Sequence, residues 1–277
     1  MLRAWPEIGL NLIMTKSQKE LAFLHDLYLQ DDWTRRFTDL VDKHMDLRDS
    51  DNMLYINAGT GGHALAVGVR FGESTDIFAS CENEDLLTIA RDKAAAVSSP
   101  VDFSAIRFED DAFDSVLTDA SLLIDSDFES AIHNTVRVAR TGGDVAVMLP
   151  TAGSFGEIFS LLWEALLNGD LPEHGGIVET LIAGLPTVSA IEAIAERTGW
   201  VNINTQTAIE GFDYETSAEF VSSPLVSDFL FPRWLQGLDD DERERAVKEL
   251  AALIDVADDT LTFRFSVKAT LLTGEKE

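Results

Sequence analysis

Apolar and polar positions along this chain show two periodicities, one typical of helices and one typical of strands. Residues 16–48 carry apolar side chains at helical spacing, which predicts helices there. Two stripes are expected to face the core, one of Leu21, Leu24, Leu27 and Tyr28 and one of Trp33, Phe37, Leu40 and Val41. From residue 53 short apolar runs alternate with helical patterns. The predicted strands are 53–57, 76–80, 113–118 and 143–149, and the predicted helices are 61–71, 84–96 and 127–139.

This alternation favours βαβ units and a parallel sheet with right-handed crossovers. Segment 97–101 is short and contains Pro100, so a strand there is expected to be stunted or to lie at an edge. After Pro150 the pattern changes to amphipathic helices, with further helices predicted at 216–235 and 239–257 and a strand at 200–207. Segment 260–272 alternates strictly, which predicts a final strand, antiparallel and near an edge.

The first strand leads into a glycine-rich turn, where residues 55–62 read Tyr-Ile-Asn-Ala-Gly-Thr-Gly-Gly. Glycine lets the backbone adopt positive φ angles and approach a ligand without a Cβ in the way. The helix that follows directs its free N–H groups toward the turn, which favours an anionic group. The pattern predicts a nucleotide-like ligand at the first βα turn of the sheet.

Composition restricts the partners. The formal net charge is −28, from 49 acidic and 21 basic residues, and such a field repels nucleic acid and anionic membranes. The single Cys81 allows no internal disulfide and is consistent with a reducing compartment. No apolar run reaches the roughly 18–20 residues that span a bilayer, and the N-terminal sequence is unlike a secretory signal. We expect an acidic, cytoplasmic protein.

Three segments carry a resemblance to a known family. Residues 53–61 read Met-Leu-Tyr-Ile-Asn-Ala-Gly-Thr-Gly, residues 102–116 read Asp-Phe-Ser-Ala-Ile-Arg-Phe-Glu-Asp-Asp-Ala-Phe-Asp-Ser-Val, and residues 137–143 read Arg-Val-Ala-Arg-Thr-Gly-Gly. They resemble the class I S-adenosylmethionine-dependent methyltransferases, in particular the small-molecule branch called type 11. The chain departs from the family where Tyr55 replaces an acid, Asn57 replaces the first glycine and Cys81 replaces the acid that follows the second strand.

The resemblance implies a Rossmann-like α/β fold with a seven-stranded, mostly parallel sheet whose last strand is antiparallel. Residues 1–50 would form an N-terminal helical cover, and residues 51–277 the α/β domain with helical additions at about 151–187 and 216–257. Asn tolerates left-handed geometry better than other non-glycine residues, so the turn at Asn57 is expected to persist.

The resemblance also implies a set of cofactor-binding residues. The turn would hold the methionyl end of S-adenosylmethionine, Asp102 and Phe103 the adenine ring, and Asp119 the region of the sulfonium. The ribose position falls on Cys81, and Glu82 reaches it if the second strand ends early. The complete set is Asn57, Ala58, Gly59, Thr60, Gly61, Cys81, Glu82, Asp102, Phe103 and Asp119.

The implied function is methyl transfer to a small-molecule acceptor, without a metal. No catalytic residue is identified, although Asp119, His63 or Tyr28 could supply a base. Candidate pocket aromatics are Trp33, Phe155, Phe159, Trp163, Phe229 and Trp234. Two alternatives stay open: a catalytically degenerate methyltransferase-fold protein that binds or regulates, suggested by the three departures, and a related enzyme that uses another nucleotide.

Overall fold

The computed structural model describes residues 16–45, 50–103, 108–122, 127–257 and 262–277, and these form one mixed six-stranded sheet covered by helices. The strands are β1 (Asn52–Ile56), β2 (Asp76–Ala79), β3 (Phe113–Asp119), β4 (Ala139–Pro150), β5 (Trp200–Tyr214) and β6 (Phe263–Lys276). Their spatial order is β2-β1-β3-β4-β6-β5. Strands β1 to β4 pair in parallel, while β6 runs antiparallel to both of its neighbours.

The α-helices are α1 (Gln18–Leu24), α2 (Arg35–His44), α3 (Gly62–Phe71), α4 (Glu84–Val97), α5 (Asp127–Val138), α6 (Gly156–Asn168), α7 (Gly176–Gly184), α8 (Val188–Arg197), α9 (Ser217–Ser222), α10 (Phe231–Trp234) and α11 (Asp240–Ala257). Two π-helical segments, His25–Thr34 and Leu225–Leu230, and a 3₁₀ turn, Pro172–His174, complete the described helices. The predicted helix at 216–235 is divided into three pieces, because Pro224 and Pro232 interrupt the backbone hydrogen bonding. Residues 1–15, 46–48 and 260–261 of the predicted elements lie outside the described residues.

The sheet has six strands among the described residues, rather than the predicted seven. The segment expected to be stunted contributes only an isolated parallel bridge between Phe78 and Asp102. Helix α4 continues to Val97, and Ser98 ends it in the left-handed conformation. Pro100 then lacks the N–H group that a ladder needs, so too little chain remains for a strand.

The last strand is antiparallel, as predicted, but its predicted place near an edge was wrong. Strand β6 lies between β4 and β5, and β5 forms the edge. Strand β5 was predicted to end near residue 207 and instead continues to Tyr214, paired with β6 as far as Phe263. The longer pairing covers the edge that β6 would otherwise expose.

The two faces of the sheet bury different layers. Along β1, Leu54 and Ile56 belong to a core formed with α5 and α8, whereas Met53 and Tyr55 face the core beneath the N-terminal helices and the insert after β4. This follows from the two-residue period of a strand. Tyr55 therefore points toward the same layer as the N-terminal segment.

The N-terminal residues are helical, as predicted, but the first predicted stripe was wrong. Leu27 is 59% exposed and Phe23 is 66% exposed, while His25, Leu29 and Trp33 are buried. The buried residues recur every four positions because the π-helical segment has a wider turn than an α-helix. The second stripe was correct: all four of its members, Trp33, Phe37, Leu40 and Val41, are buried.

The length and the apolar character of the described helices indicate whether one of them could cross a bilayer. In the described part of the chain, no individual helix combines the length and the apolar character that a membrane span requires. The pair Pro172–Gly184 and Val188–Arg197 meets both criteria only when joined, and it is bent by 59°.

Candidate functional site

The turn after β1 adopts left-handed geometry at three positions. The φ angles are 60° at Asn57, 57° at Gly59 and 79° at Gly61, so Asn57 takes the conformation expected of it. Its side-chain Nδ2 donates a hydrogen bond to the backbone oxygen of Asp119 over 3.1 Å. This bond joins the carboxyl ends of β1 and β3, the two strands whose ends form the base of the site.

A cavity of about 390 Å³ opens beside this turn. In open α/β sheets, ligands bind beyond the carboxyl ends of the strands, and this cavity has that position. Its walls come from the N-terminal helices, from the strand ends and from the helical segment between β5 and β6. They comprise Gln18, Leu21, Ala22, His25, Asn57, Glu82, Asn83, Leu86, Asp119, Ser121, Leu122, Asp228, Phe229, Pro232 and Arg233.

Two carboxylates form the acidic floor of this cavity. Glu82 Oε2 accepts a hydrogen bond from the Gly59 N–H over 3.2 Å, and Asp119 Oδ1 accepts one from the Ser121 N–H over 2.8 Å. Glu82 is open to the cavity yet enclosed by protein atoms, and this loss of bulk water, together with the charge of Asp119, raises its pKa to about 7. Desolvation raises the pKa of Asp119 to about 6. A cationic ligand would relieve this repulsion.

His25 also lines the cavity, and the sequence analysis did not identify it. Its ring packs against Gly59 and meets Phe229 edge-on, with centroids 6.2 Å apart. Burial lowers the pKa of His25 to about 4, so the imidazole is neutral near physiological pH. Its Nδ1 is buried and has no hydrogen-bond partner among the described residues. The signal available in the sequence was that His25, Leu29 and Trp33 follow one another at intervals of four residues.

At the predicted ribose position, Glu82 lines the cavity and Cys81 does not. Strand β2 ends at Ala79, early enough for Glu82 to reach the cavity, as the sequence analysis allowed. Cys81 is half-buried, packs against the core and is absent from the cavity wall. Burial raises the pKa of its thiol to about 12, so the sulfur is neutral.

The predicted adenine residues do not line the cavity. Asp102 is exposed, and the Phe103 ring is buried beneath the turn, where a Cβ on Gly61 would lie 2.7 Å from its Cζ. Thr60 is fully buried, and its Oγ1 has no partner in the described part of the chain. Residues 104–107 of the motif lie outside the described residues.

Of the three candidate bases, Asp119 alone lines the cavity. His63 is buried elsewhere, with Nδ1 3.2 Å from the Tyr55 hydroxyl and Nε2 3.5 Å from Asp42 Oδ1. Tyr28 is 38% exposed and lies outside the cavity wall. His63 and Tyr28 are therefore not positioned to act on a ligand in this cavity.

A second cavity of about 60 Å³ adjoins the first and shares Ser121, Leu122 and Arg233 with it. Four of the six predicted pocket aromatics line it: Trp33, Phe155, Phe159 and Trp234. Phe229 lines the larger cavity, and Trp163 lines neither. The Trp33 indole donates to Ser121 Oγ over 3.0 Å at the junction. An acidic, polar compartment thus opens onto an apolar one.

One group with potential metal ligands exists among the described residues, namely Glu173, His174 and Glu242. His174 lies 3.4 Å from Glu242, whose other oxygen accepts the Asp239 N–H just before the start of α11. These side chains already have protein partners, and none of them lines either cavity.

Comparisons with known proteins agree with this architecture. The YcgJ protein of Bacillus subtilis superimposes with a TM-score of 0.55 at 18% identity, over 88% of this chain and 99% of that one. Phosphoethanolamine N-methyltransferase 2 of Haemonchus contortus, solved in complex with S-adenosyl-L-methionine, gives 0.54 at 15% identity, over 95% of this chain and 58% of that one. At such identities the likeness establishes the fold alone.

Sequence comparison identifies the family. A demethylmenaquinone methyltransferase of Shouchella clausii is 24% identical over 134 residues, which make up 45% of this chain, and the match spans only 57% of that relative's length. The model of the ubiE/COQ5 methyltransferase family matches residues 24–181, more than half of the chain. The predicted resemblance is confirmed, and the chain belongs to the ubiE/COQ5 methyltransferase family.

Proposed function

We propose that this protein transfers a methyl group from S-adenosylmethionine to a small-molecule acceptor. The observation that carries the proposal is the pair of carboxylates, Glu82 and Asp119, that line one cavity beside the left-handed turn. S-adenosylmethionine is cationic at its sulfonium, so a floor of two acids suits it. Family membership supports the same activity.

The residues present fit the cofactor at three points. Glu82 offers acceptor oxygens to the ribose hydroxyls, which a thiol at Cys81 would not. Asn57 lines the cavity at the turn, where the methionyl end would lie, and Asp119 lies on the side that leads to the second cavity. Because His25 and Phe103 cover Gly59 and Gly61, the ligand would reach the turn from the side of Asn57.

The acceptor would lie at the junction of the two cavities, against the aromatic walls of the second, because a cavity of about 60 Å³ has room for only about two water molecules. This position would bring a nucleophile toward Asp119. When bound, S-adenosylmethionine supplies a methyl group activated by positively charged sulfur. Methyl transfer depends mainly on in-line positioning of the two reactants, so the task of this chain's residues is to hold them together and exclude water.

The degenerate alternative is not proposed, because each departure from the family pattern is accommodated. Asn57 adopts the left-handed conformation of the glycine it replaces. Glu82 supplies the carboxylate that Cys81 lacks. Tyr55 fills the position of the acid with a buried side chain that contacts His63.

The test is calorimetric titration with S-adenosylmethionine and S-adenosylhomocysteine. We expect the wild-type protein to bind both, and Glu82→Gln to weaken binding about tenfold through loss of charged hydrogen bonds. Glu84→Gln is the matched control, because Glu84 is exposed and lies outside the cavity wall. A wild-type protein that binds neither compound would overturn the proposal.

A further inference from the structure

Arg233 occupies the junction of the two cavities and belongs to the walls of both. It comes from the short helix α10, which lies between β5 and β6 in the chain. Its guanidinium donates a hydrogen bond to the backbone oxygen of Leu122. A guanidinium has five N–H donors, so this contact leaves most of its hydrogen-bonding capacity for a ligand.

The charges that face Arg233 do not neutralise it. No carboxylate forms an ion pair with Arg233 in the part of the chain that the structure describes. Asp228, on the neighbouring segment, is already paired with Lys16. Glu82 is close enough to raise the pKa of Arg233, but desolvation is the larger effect and lowers it. An enclosed guanidinium without a paired anion carries a desolvation penalty that an anionic ligand would offset.

The larger cavity therefore carries charges of both signs. Glu82, Asp119 and Asp228 line it together with Arg233, the one permanently cationic side chain among the described residues that line either cavity. A cation beside Glu82 and Asp119 and an anion beside Arg233 would each meet the opposite charge. The methionyl carboxylate of the cofactor is itself an anion, so an anionic acceptor has to be tested with the cofactor site filled.

We propose that the methyl acceptor carries a carboxylate or a similar oxyanion, which Arg233 binds at the junction of the two cavities while the apolar body of the acceptor lies against the aromatic walls there. This rests on the proposed function and specifies its substrate class. Guanidinium groups bind carboxylates in bidentate geometry, which would orient the acceptor as well as retain it. The net charge of −28 repels anions at long range, so a local cation is needed to hold one.

The test uses matched pairs of small aromatic probes that differ only in charge: benzoate and benzamide, phenylacetate and phenylacetamide, cinnamate and cinnamamide. Each probe is titrated into the full chain saturated with S-adenosylhomocysteine. Tryptophan fluorescence is the readout, because Trp33 and Trp234 line the second cavity. We expect at least one carboxylate to bind about tenfold more tightly than its amide.

Three variants test whether Arg233 causes that preference. Arg233→Met should abolish it, because the affinity for the carboxylate falls while the affinity for the amide stays within about threefold. Arg233→Lys should retain part of the preference because the charge persists. Arg197→Met is the control, because Arg197 lies on the surface and pairs with Glu129. Thermal unfolding of each variant verifies the fold.

The proposal is overturned if each amide binds as tightly as its carboxylate, if no probe binds, or if the preference survives in Arg233→Met. Binding of S-adenosylhomocysteine is measured first on the same protein. A chain that binds this compound and ignores the charge of the probes contradicts the substrate class alone, whereas a chain that does not bind it contradicts the proposed function.

Discussion

The imidazole of His25 lies directly against Gly59, where a Cβ would be 2.5 Å from the ring's Cε1. Gln30 packs in the same way against Gly62. The glycine-rich turn is therefore covered by the N-terminal segment. Gly59 and Gly62 leave room for that packing, and Gly59 also takes a left-handed φ angle of 57°. The turn and the N-terminal segment act as one structural unit.

A double-mutant cycle tests this unit. Gly59→Ala should lower the free energy of unfolding through two effects, left-handed strain of about 1–2 kcal/mol and the collision with His25. In a His25→Ala background the collision disappears and only the strain remains, so the coupling should be at least about 1 kcal/mol. Urea unfolding of the four proteins measures it. Additive effects would show that the ring moves aside without cost.

Glu82 should make stability depend on pH with a defined sign. Its pKa is raised to about 7 from the ordinary value of 4.5, so the folded protein binds this proton more tightly than the unfolded chain. The stability from this group is complete below about pH 4.5 and is lost as pH rises through about 7. The lowered pKa of His25 gives the opposite slope between about pH 4 and 6.5, so wild-type data alone are insufficient.

The difference between Glu82→Gln and wild type isolates the glutamate. We expect the variant to gain stability relative to wild type as pH rises from about 4.5 to 7.5, while it loses affinity for S-adenosylhomocysteine. Denaturant unfolding at several pH values measures the first effect, with Glu84→Gln as the control for a substitution outside the cavity. A flat difference for Glu82→Gln would mean that its carboxylate is fully solvated in the cavity.

Local chemistry made part of the site predictable. Asn57 was expected in the left-handed region because its side chain tolerates that geometry, and Glu82 was identified because an early end of β2 would bring it to the cavity. The antiparallel pairing of β6 followed from strict alternation. In each case a short stretch of sequence determines the outcome.

Other features depend on tertiary context. In the π-helical segment His25 is buried and Leu27 is exposed. The spacing of apolar residues in the sequence does not distinguish a π-helix from an α-helix, so this exchange could not be predicted. No strand forms at 97–101, because α4 continues almost to Pro100. The position of β6 inside the sheet depends on β5, which is longer than its apolar pattern predicted. Arg233 reaches the cavity from more than a hundred residues away in sequence.

Tyr55 should act in stability rather than in binding. Its side chain is 1% exposed, and its hydroxyl lies 3.2 Å from Nδ1 of His63. Tyr55→Phe removes this contact and leaves a buried ring nitrogen without a partner, so the free energy of unfolding should fall by about 1–3 kcal/mol. Affinity for S-adenosylhomocysteine should stay within about threefold, because Tyr55 does not line the cavity. A large loss of affinity with unchanged stability would instead place the hydroxyl in the binding site.

Cys81 offers a chemical probe of whether a ligand in the cavity lies against Glu82 or against the thiol. Because burial raises the pKa of its thiol to about 12, and the thiolate is the reactive species, alkylation by iodoacetamide at about pH 8 should be slow. An unperturbed thiol with a pKa near 8.5 is substantially ionised at that pH, so labelling should accelerate at least about a hundredfold in concentrated guanidinium chloride. Saturating S-adenosylhomocysteine should leave the native rate unchanged, since Glu82 rather than Cys81 lines the cavity. Protection of the thiol by the ligand would reverse that assignment and place the sulfur against the ribose.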